Sequence, residues 1–246
     1  MRPIAGNACA ICGERIFSSY ALSELAGEPR CGLCRRIPPP FVRAVAYGSY
    51  EGGLRELIHL LKFGGVRPAA KVLGRMLAEA VASLEAEFPA ESVNLIPVPL
   101  HRTKFRQRGF NQAELIARAA LKSASFGNRL HLRAAALERT RETVSQIGLT
   151  SHQRRANLRG AFRVAQPDAV KGREVLVVDD VYTTGATVSE CARVLRRAGA
   201  SKVWVATVAR TLRISAQHAE IEPDLAIESD EWNVKNAVPL AKAAGI

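Results

Sequence analysis

VLVVDDVYTTGAT, residues 175–187, decides the fold. Its first four residues form a continuous apolar run, the pattern of a strand covered on both faces in a parallel sheet. Two adjacent acids, Asp179 and Asp180, stand at the carboxyl end of that run, which is where open α/β sheets bind their ligands. Thr183-Thr184-Gly185-Ala186-Thr187 then leads into the helical pattern TGATVSECARVLRRAG, which stops at Gly199. Free backbone N–H groups at such a helix start, with three hydroxyls and a glycine that permits close approach, make a cradle for a phosphate dianion. The carboxylates one step earlier suit sugar hydroxyls or a hydrated cation. The two chemistries side by side are what a ribose 5-phosphate requires. A Walker loop would need Gly-Lys-Ser/Thr, and a dinucleotide fold GxGxxG, after the strand; neither is present. An aspartate-nucleophile phosphatase would separate its two acids by one residue. A plain Ser/Thr-rich helix cap is the remaining alternative.

Working outward, KVWVATVA and VNLIPVPL also read as buried strands, and FVRAVAYGSY as a strand or hairpin. Helical spacing marks LRELIHLLKF, stopping at Gly64-Gly65, and PAAKVLGRMLAEAVASLEAEF, with Pro68 in its first turn. NQAELIARAALKSA and LTSHQRRANLRG are two more helices, the second opening with a capping box from Thr150 to Gln153. Alternating strands and helices predict an α/β domain with a mainly parallel sheet and flanking helices. Its expected span is residues 41–214, after a stiff spacer at Pro38-Pro39-Pro40 and before a C-terminal segment, residues 215–246.

The chain has 246 residues, of which 48% are apolar and 24% charged, so disorder and collagen are excluded. Charges or prolines interrupt every run before it reaches the roughly 18 apolar residues of a membrane span. The N-terminus lacks the apolar core of a secretory signal. The expectation is a cytoplasmic protein without membrane insertion. Thirty-five Lys and Arg against 23 Asp and Glu give +12. Residues 215–246 hold six acids and two lysines, a local −4, leaving +16 on the first 214 residues. Such a field favours a polyanion: nucleic acid, an acidic protein or a phosphorylated metabolite.

Residues 1–37 hold four of the five cysteines, as two CxxC pairs, Cys9/Cys12 and Cys31/Cys34, with 18 residues between the pairs. In a reducing compartment this spacing predicts a four-thiolate zinc ribbon, closed on all four sides and therefore structural. Cys191 falls in an apolar helical pattern and reads as a buried, inert thiol.

VLVVDDVYTTGAT is similar to the phosphoribosyl-pyrophosphate (PRPP) signature of type I phosphoribosyltransferases. With the double CxxC module, LIHLLKFGG, IPVPLHRTKFRQRGFNQAELIA and RTRETVSQIGLTSHQRRANLRGAF, the chain resembles the ComF family of competence-related phosphoribosyltransferase-like proteins over about residues 9–210. The resemblance implies that Asp179 and Asp180 contact the ribose hydroxyls of PRPP. It also implies that Thr183, Thr184, Gly185, Ala186 and Thr187 grip the 5-phosphate. Mg²⁺ would accompany PRPP. The segment after Pro97-Val98-Pro99 would face the pyrophosphate, with an unusual peptide bond there. In agreement, His101, Arg102, Lys104, Arg106 and Arg108 gather cations just beyond a strand's carboxyl end; a solvated basic loop or a nucleic-acid patch are the other readings. Arg106 is the cation assigned to catalysis beside Asp179 and Asp180, while His101, Arg102 and Arg108 are assigned to binding.

Arg139-Thr140-Arg141-Glu142-Thr143-Val144-Ser145-Gln146 resembles the loop that closes over PRPP. Gln146, Arg154, Asn157 and Lys62 are weaker candidates that a surface role explains equally well. A nitrogen acceptor with pyrophosphate release, a PRPP sensor without turnover, and a single-stranded DNA accessory within the competence machinery are all compatible with these residues, as is a homodimer.

Overall fold

The computed structural model describes residues 8–16, 28–89, 91–124, 126–143 and 151–212. The short helix α1, Gly32–Arg36, carries Cys34, and the strand β1 follows at Ala44–Ser49. Two helices come next, α2 at Gly52–Lys62 and α3 at Ala69–Ala82. Strand β2, Val93–Pro97, precedes α4, Arg102–Arg108, and α5, Gln112–Ser123. Short strands β3 (Leu130–Leu132), β4 (Leu137–Arg139) and β5 (Phe162–Val164) surround α6, Ser151–Leu158. The chain then builds β6 at Glu174–Tyr182, α7 at Ala186–Arg197 and β7 at Lys202–Arg210.

Five strands form one all-parallel sheet in the order β1-β7-β6-β2-β3. Strands β4 and β5 pair antiparallel in a separate ribbon. The apolar runs that predicted covered strands are the central ones: β6 is buried from Val175 through Asp180, and β7 from Val203 through Arg210. On one face α2, α3 and α5 lay Leu54, Ile58, Leu61, Leu73, Leu77 and Ile116 against Leu176, Val178, Trp204 and Ala206. On the other face α6 and α7 lay Leu158, Cys191 and Leu195 against Val175, Val177, Val203 and Val205.

The connections place the site. From β2 the chain passes through α5 to β3, moving toward one sheet edge; from β6 it passes through α7 to β7, moving toward the other. Because α5 and α7 lie on opposite faces, the sheet has its switch point between β2 and β6, and a crevice opens at their carboxyl ends. Pro97 pairs with Val178 there, and Val98 N–H donates to the Val178 carbonyl at 2.8 Å.

Three expectations are corrected. The segment after Pro97-Val98-Pro99 is the helix α4, capped at its end by Gly109 at φ +76°, where a basic loop was expected. The helix from Pro68 ends at Ala82, and residues 83–87 form turns with 3₁₀-type hydrogen bonds. No cis peptide occurs among the described residues, so the unusual bond expected at Pro97-Val98-Pro99 is not found.

Helices α3 and α5 approach closely at Gly74. A Cβ there would lie 2.5 Å from the Ala119 Cβ and 2.8 Å from the Ala120 nitrogen, far inside a van der Waals contact of about 3.5–4.0 Å. Gly74→Ala gains helix propensity of about 1 kcal/mol but forces the helices apart, and overpacking costs about 1–3 kcal/mol. The variant is expected to have a lower urea midpoint than the native protein; an unchanged or higher midpoint would show that the helices can yield.

Candidate functional site

Successive positions of a strand point to opposite faces, so the adjacent acids at the end of β6 meet different surroundings. Asp180 turns toward α2 and α5. Its carboxylate is ion-paired with Lys62 Nζ and accepts a hydrogen bond from Gln112 Nε2 at 3.3 Å. Gln112 Oε1 in turn accepts from Arg108 Nη1 at 2.5 Å. Asp179 lies on the α7 side, where its charge influences the buried Cys191 thiol; its Oδ1 accepts the Asp180 N–H at 2.9 Å.

The electrostatics follow from this division. Burial and the neighbouring Asp180 charge push the Asp179 carboxyl well above the usual carboxylate range. Burial acts on Asp180 in the same direction, but the Lys62 ammonium and hydrogen bonds from Asp179, Lys62 and Gln112 outweigh it and hold this carboxyl low. Burial alone would lower Lys62; Asp180 keeps it raised and charged. The pair therefore shares its proton unequally, with Asp180 as the ionised member.

Two sequence motifs meet at this network. In residues 108–112, Arg-Gly-Phe-Asn-Gln, every residue has a structural task. Gly109 ends α4 with a left-handed backbone. Phe110 is buried beneath the Arg67 guanidinium, 5.3 Å from its ring centroid. Asn111 caps α5 by accepting from Ala113 N–H at 3.1 Å and donates its amide to the Val98 carbonyl at 3.0 Å. Gln112 reaches Asp180, while Arg108 stacks over Phe63 at 5.7 Å. The other motif, residues 62–65, supplies Lys62 and Phe63 to the same contacts.

The turn expected to cradle a phosphate, residues 183–187, lies beyond the acids. Gly185 is the N-cap of α7 at φ +75°, a backbone that favours glycine. A Cβ there would overlap the Tyr182 hydroxyl, so the glycine is required twice over. Thr184 Oγ1 accepts from Ala186 N–H at 3.4 Å. Thr183 is exposed, Thr184 and Thr187 are half-buried, and Gly185 and Ala186 are buried. The turn thus exposes Thr183 most, just past the carboxyl end of β6.

The expected pyrophosphate cations divide. Arg108 joins the Asp180 network, and His101 caps α4 by accepting from Thr103 N–H at 3.4 Å. Arg102, Lys104 and Arg106 point to solvent on α4, which has no buried residue. Of the segment expected to close over the site, Arg139 sits in β4 over the Phe162 ring at 5.5 Å. Glu142 Oε2 comes within 4.0 Å of His101 Nδ1, and Arg141 donates to the carbonyls of Asn157 and Arg159 at 2.8 and 3.1 Å. Val144, Ser145 and Gln146 lie outside the described residues, as does the Arg154 side chain.

The four-cysteine group is assembled. The Sγ atoms of Cys9, Cys12, Cys31 and Cys34 all lie within 4.8 Å of one another, and Cys12 and Cys31 are 3.7 Å apart. A tetrahedral zinc site with Zn–S bonds of about 2.3 Å has sulfur–sulfur edges of about 3.8 Å, so this donor set could hold zinc. Cys191 is fully buried, and burial followed by the Asp179 charge pushes its thiol well above the ordinary range, which fits an inert packing residue.

The chain as a whole is similar to known proteins. Residues 118–242 match the family model described as phosphoribosyl transferase domain. This is a phosphoribosyltransferase-type domain: a parallel sheet with flanking helices, preceded by a cysteine cluster compatible with a zinc ribbon. The chain is 36% identical over 213 residues to "DNA utilization protein YhgH" of Escherichia coli O6:H1, covering 83% of this chain and 90% of the relative. It is 31% identical to "Competence protein F" of Haemophilus influenzae, covering 82% and 90%. Among solved structures, a Trypanosoma cruzi hypoxanthine phosphoribosyl transferase overlaps 61% of this chain and 70% of its own at 13% identity, with a TM-score of 0.37. The chain belongs to the ComF family. Among the described residues no helix is long and apolar enough to cross a membrane.

Lys62→Met would leave the Asp180 charge buried without its cation. The expected loss at pH 7 is about 3–5 kcal/mol. Asp180 is held low in the native protein, so its pairing stabilises above the unfolded carboxylate pKa of about 3.9 and is lost below it. In the variant the carboxyl is raised instead, and protonation relieves the cost. Denaturant titrations at pH 7 and near pH 4 should therefore show the gap between the two proteins shrinking with acidity. A pH-independent gap would mean that the ion pair is not its origin.

Proposed function

We propose that the chain binds PRPP with Mg²⁺ and transfers its ribose 5-phosphate to a nitrogen acceptor, releasing pyrophosphate. The observation that carries this reading is the buried, Lys62-paired Asp180 set one turn before the Gly185 helix start, at the switch point of the sheet. Asp179 and Asp180 would receive the ribose hydroxyls and the turn from Thr183 to Thr187 the 5-phosphate. The α4 cations Arg102, Arg106 and Arg108, with His101, lie beyond the end of β2 and would face the leaving group.

In the transfer the C1–O bond to pyrophosphate breaks and a C1–N bond forms through an oxocarbenium-like state, as in glycoside hydrolysis. The electron pair leaves with pyrophosphate, and the acceptor nitrogen gives up its proton. Magnesium supplies charge neutralisation to the polyphosphate when bound with it. The protein's part is positioning and electrostatic stabilisation, with no covalent nucleophile required. Zinc in the four-cysteine cluster would be structural.

Calorimetric titration with Mg–PRPP, followed by a pyrophosphate-release screen over bases and amines, tests this. Asp180→Asn is expected to weaken PRPP binding about 100-fold, the equivalent of two charge-assisted hydrogen bonds at about 1.5 kcal/mol each. Native affinity in that variant would refute the reading. Heat of binding without release from any acceptor would indicate a PRPP sensor.

A second reading, contact with single-stranded DNA, is favoured by α4 itself. Arg102, Lys104 and Arg106 are exposed beside Phe105, which is 48% exposed. Cations interleaved with an exposed aromatic ring suit a phosphate backbone and a stacked base. It also accords with the names of the relatives, DNA utilization protein and competence protein. Arg102→Ala, Lys104→Ala and Arg106→Ala together should flatten the log K against log salt slope by about 2 for a single strand. An unchanged slope would place DNA elsewhere or nowhere.

A further inference from the structure

The four-cysteine knuckle does not sit apart from the phosphate turn. Arg210, at the end of β7, is 3% exposed. Its guanidinium donates Nη1–H to the Cys12 carbonyl and Nη2–H to Glu14 Oε2 at 2.9 Å, and Glu14 is itself 8% exposed. Gly13, between those two acceptors, has φ +70°; a Cβ there would lie 3.4 Å from the Ala44 carbonyl and 3.6 Å from Arg210 Nη1. Those distances leave room for a side chain, so it is the left-handed backbone that favours glycine where the loop folds over the guanidinium. Ile11 closes the same junction by accepting from Ala44 N–H at 2.6 Å.

The other side of Arg210 faces the site. Its guanidinium carbon lies 4.5 Å from the centroid of the Tyr182 ring, and the two residues are register partners on β7 and β6. Tyr182 is buried, and its hydroxyl occupies the space where a side chain at Gly185 would begin. It is the floor of the turn that starts α7. A continuous run of contacts therefore joins Cys12 and Glu14 to Arg210, to Tyr182 and to Gly185.

We propose that Arg210 and Tyr182 are positioning residues through which the metal-bound knuckle holds the phosphate turn, so that metal and sugar phosphate reinforce each other's binding. A metal on the four sulfurs fixes the backbone at Cys12 and with it the carbonyl and the Glu14 carboxylate that hold Arg210. Without it a buried guanidinium has no fixed acceptors, its hold on the Tyr182 ring loosens, and the turn loses its floor. Reciprocity of coupled equilibria requires the converse: a ligand that orders the turn must tighten the knuckle's hold on its metal. The ligand half of this inference rests on the function proposed above; the metal half does not.

Hydrogen exchange of the full chain separates the two halves. Chelating the metal is expected to speed exchange at residues 184–187 about tenfold while β2 stays protected. In parallel, the affinity for zinc, read at equilibrium by competition with a chromogenic chelator, should rise about fivefold in saturating Mg–PRPP. Arg210→Met, measured with its full zinc content, should show fast exchange at the turn and lose the PRPP effect on zinc affinity. Tyr182→Phe, which keeps the ring and removes only the hydroxyl beneath Gly185, should show an intermediate result and serves where Arg210→Met fails to fold. Acceleration confined to residues 8–16 and 28–37 would overturn the proposal. So would a zinc affinity that ignores PRPP in a protein shown calorimetrically to bind it. A fast-exchanging turn in a protein that gives no heat with PRPP would overturn the proposed function and leave the coupling standing.

Discussion

A carboxylate buried at the end of a central parallel strand must be neutralised, and the means of doing so organises this molecule. Asp180 has a side-chain exposure of only 5%, so its charge is maintained only by a cation brought in from another layer. Lys62 is that cation, and it is the last residue of α2. The ion pair thereby fixes where α2 ends relative to β6. The turn after α2 must then pass over the start of α5, where Gln112 provides the second contact to the same carboxylate.

The consequence is a reciprocal clasp between two segments about 45 residues apart. Arg108 covers Phe63, and Arg67 covers Phe110. Each arginine belongs to one segment and its ring to the other, so movement of either half breaks both stacking contacts. Such contacts are modest singly, about 0.5–1 kcal/mol at exposed sites, but they act on the geometry that Lys62 and Gln112 need. Asn111 extends the constraint to β2 through the Val98 carbonyl. Both strands that border the crevice are thus tied to one short segment.

Continuity of apolar residues made the parallel sheet legible, because a strand covered on both faces cannot hide its composition. Glycine at the start of α7 and the paired CxxC spacing were legible for the same reason: the local chemistry leaves few alternatives. Lys62 was not distinguished, since a lysine ending an amphipathic helix before two glycines looks the same whether it meets water or a buried carboxylate. Arg210 was missed altogether. The available sign was a lone arginine closing the apolar run KVWVATVA, residues 202–209, a placement that demands buried acceptors. The three-residue strands β3, β4 and β5 are too short to show a period. Helix α4 has no buried residue, and so no apolar stripe to announce it.

Charge balance explains how two acids can stand side by side at the end of a buried strand. With Asp179 pushed toward its neutral form and Asp180 matched by Lys62, the end of β6 carries little net charge despite its two carboxyls. Beyond it the chain enters α7 at Gly185, and the exposed cations of α4 stand on the segment that follows β2. The acids keep their oxygens as hydrogen-bond acceptors, Asp180 toward Gln112 Nε2 and Asp179 toward the Asp180 N–H. Lys62 is central to this arrangement because it permits a buried carboxylate to persist as a hydrogen-bond acceptor at the carboxyl end of β6.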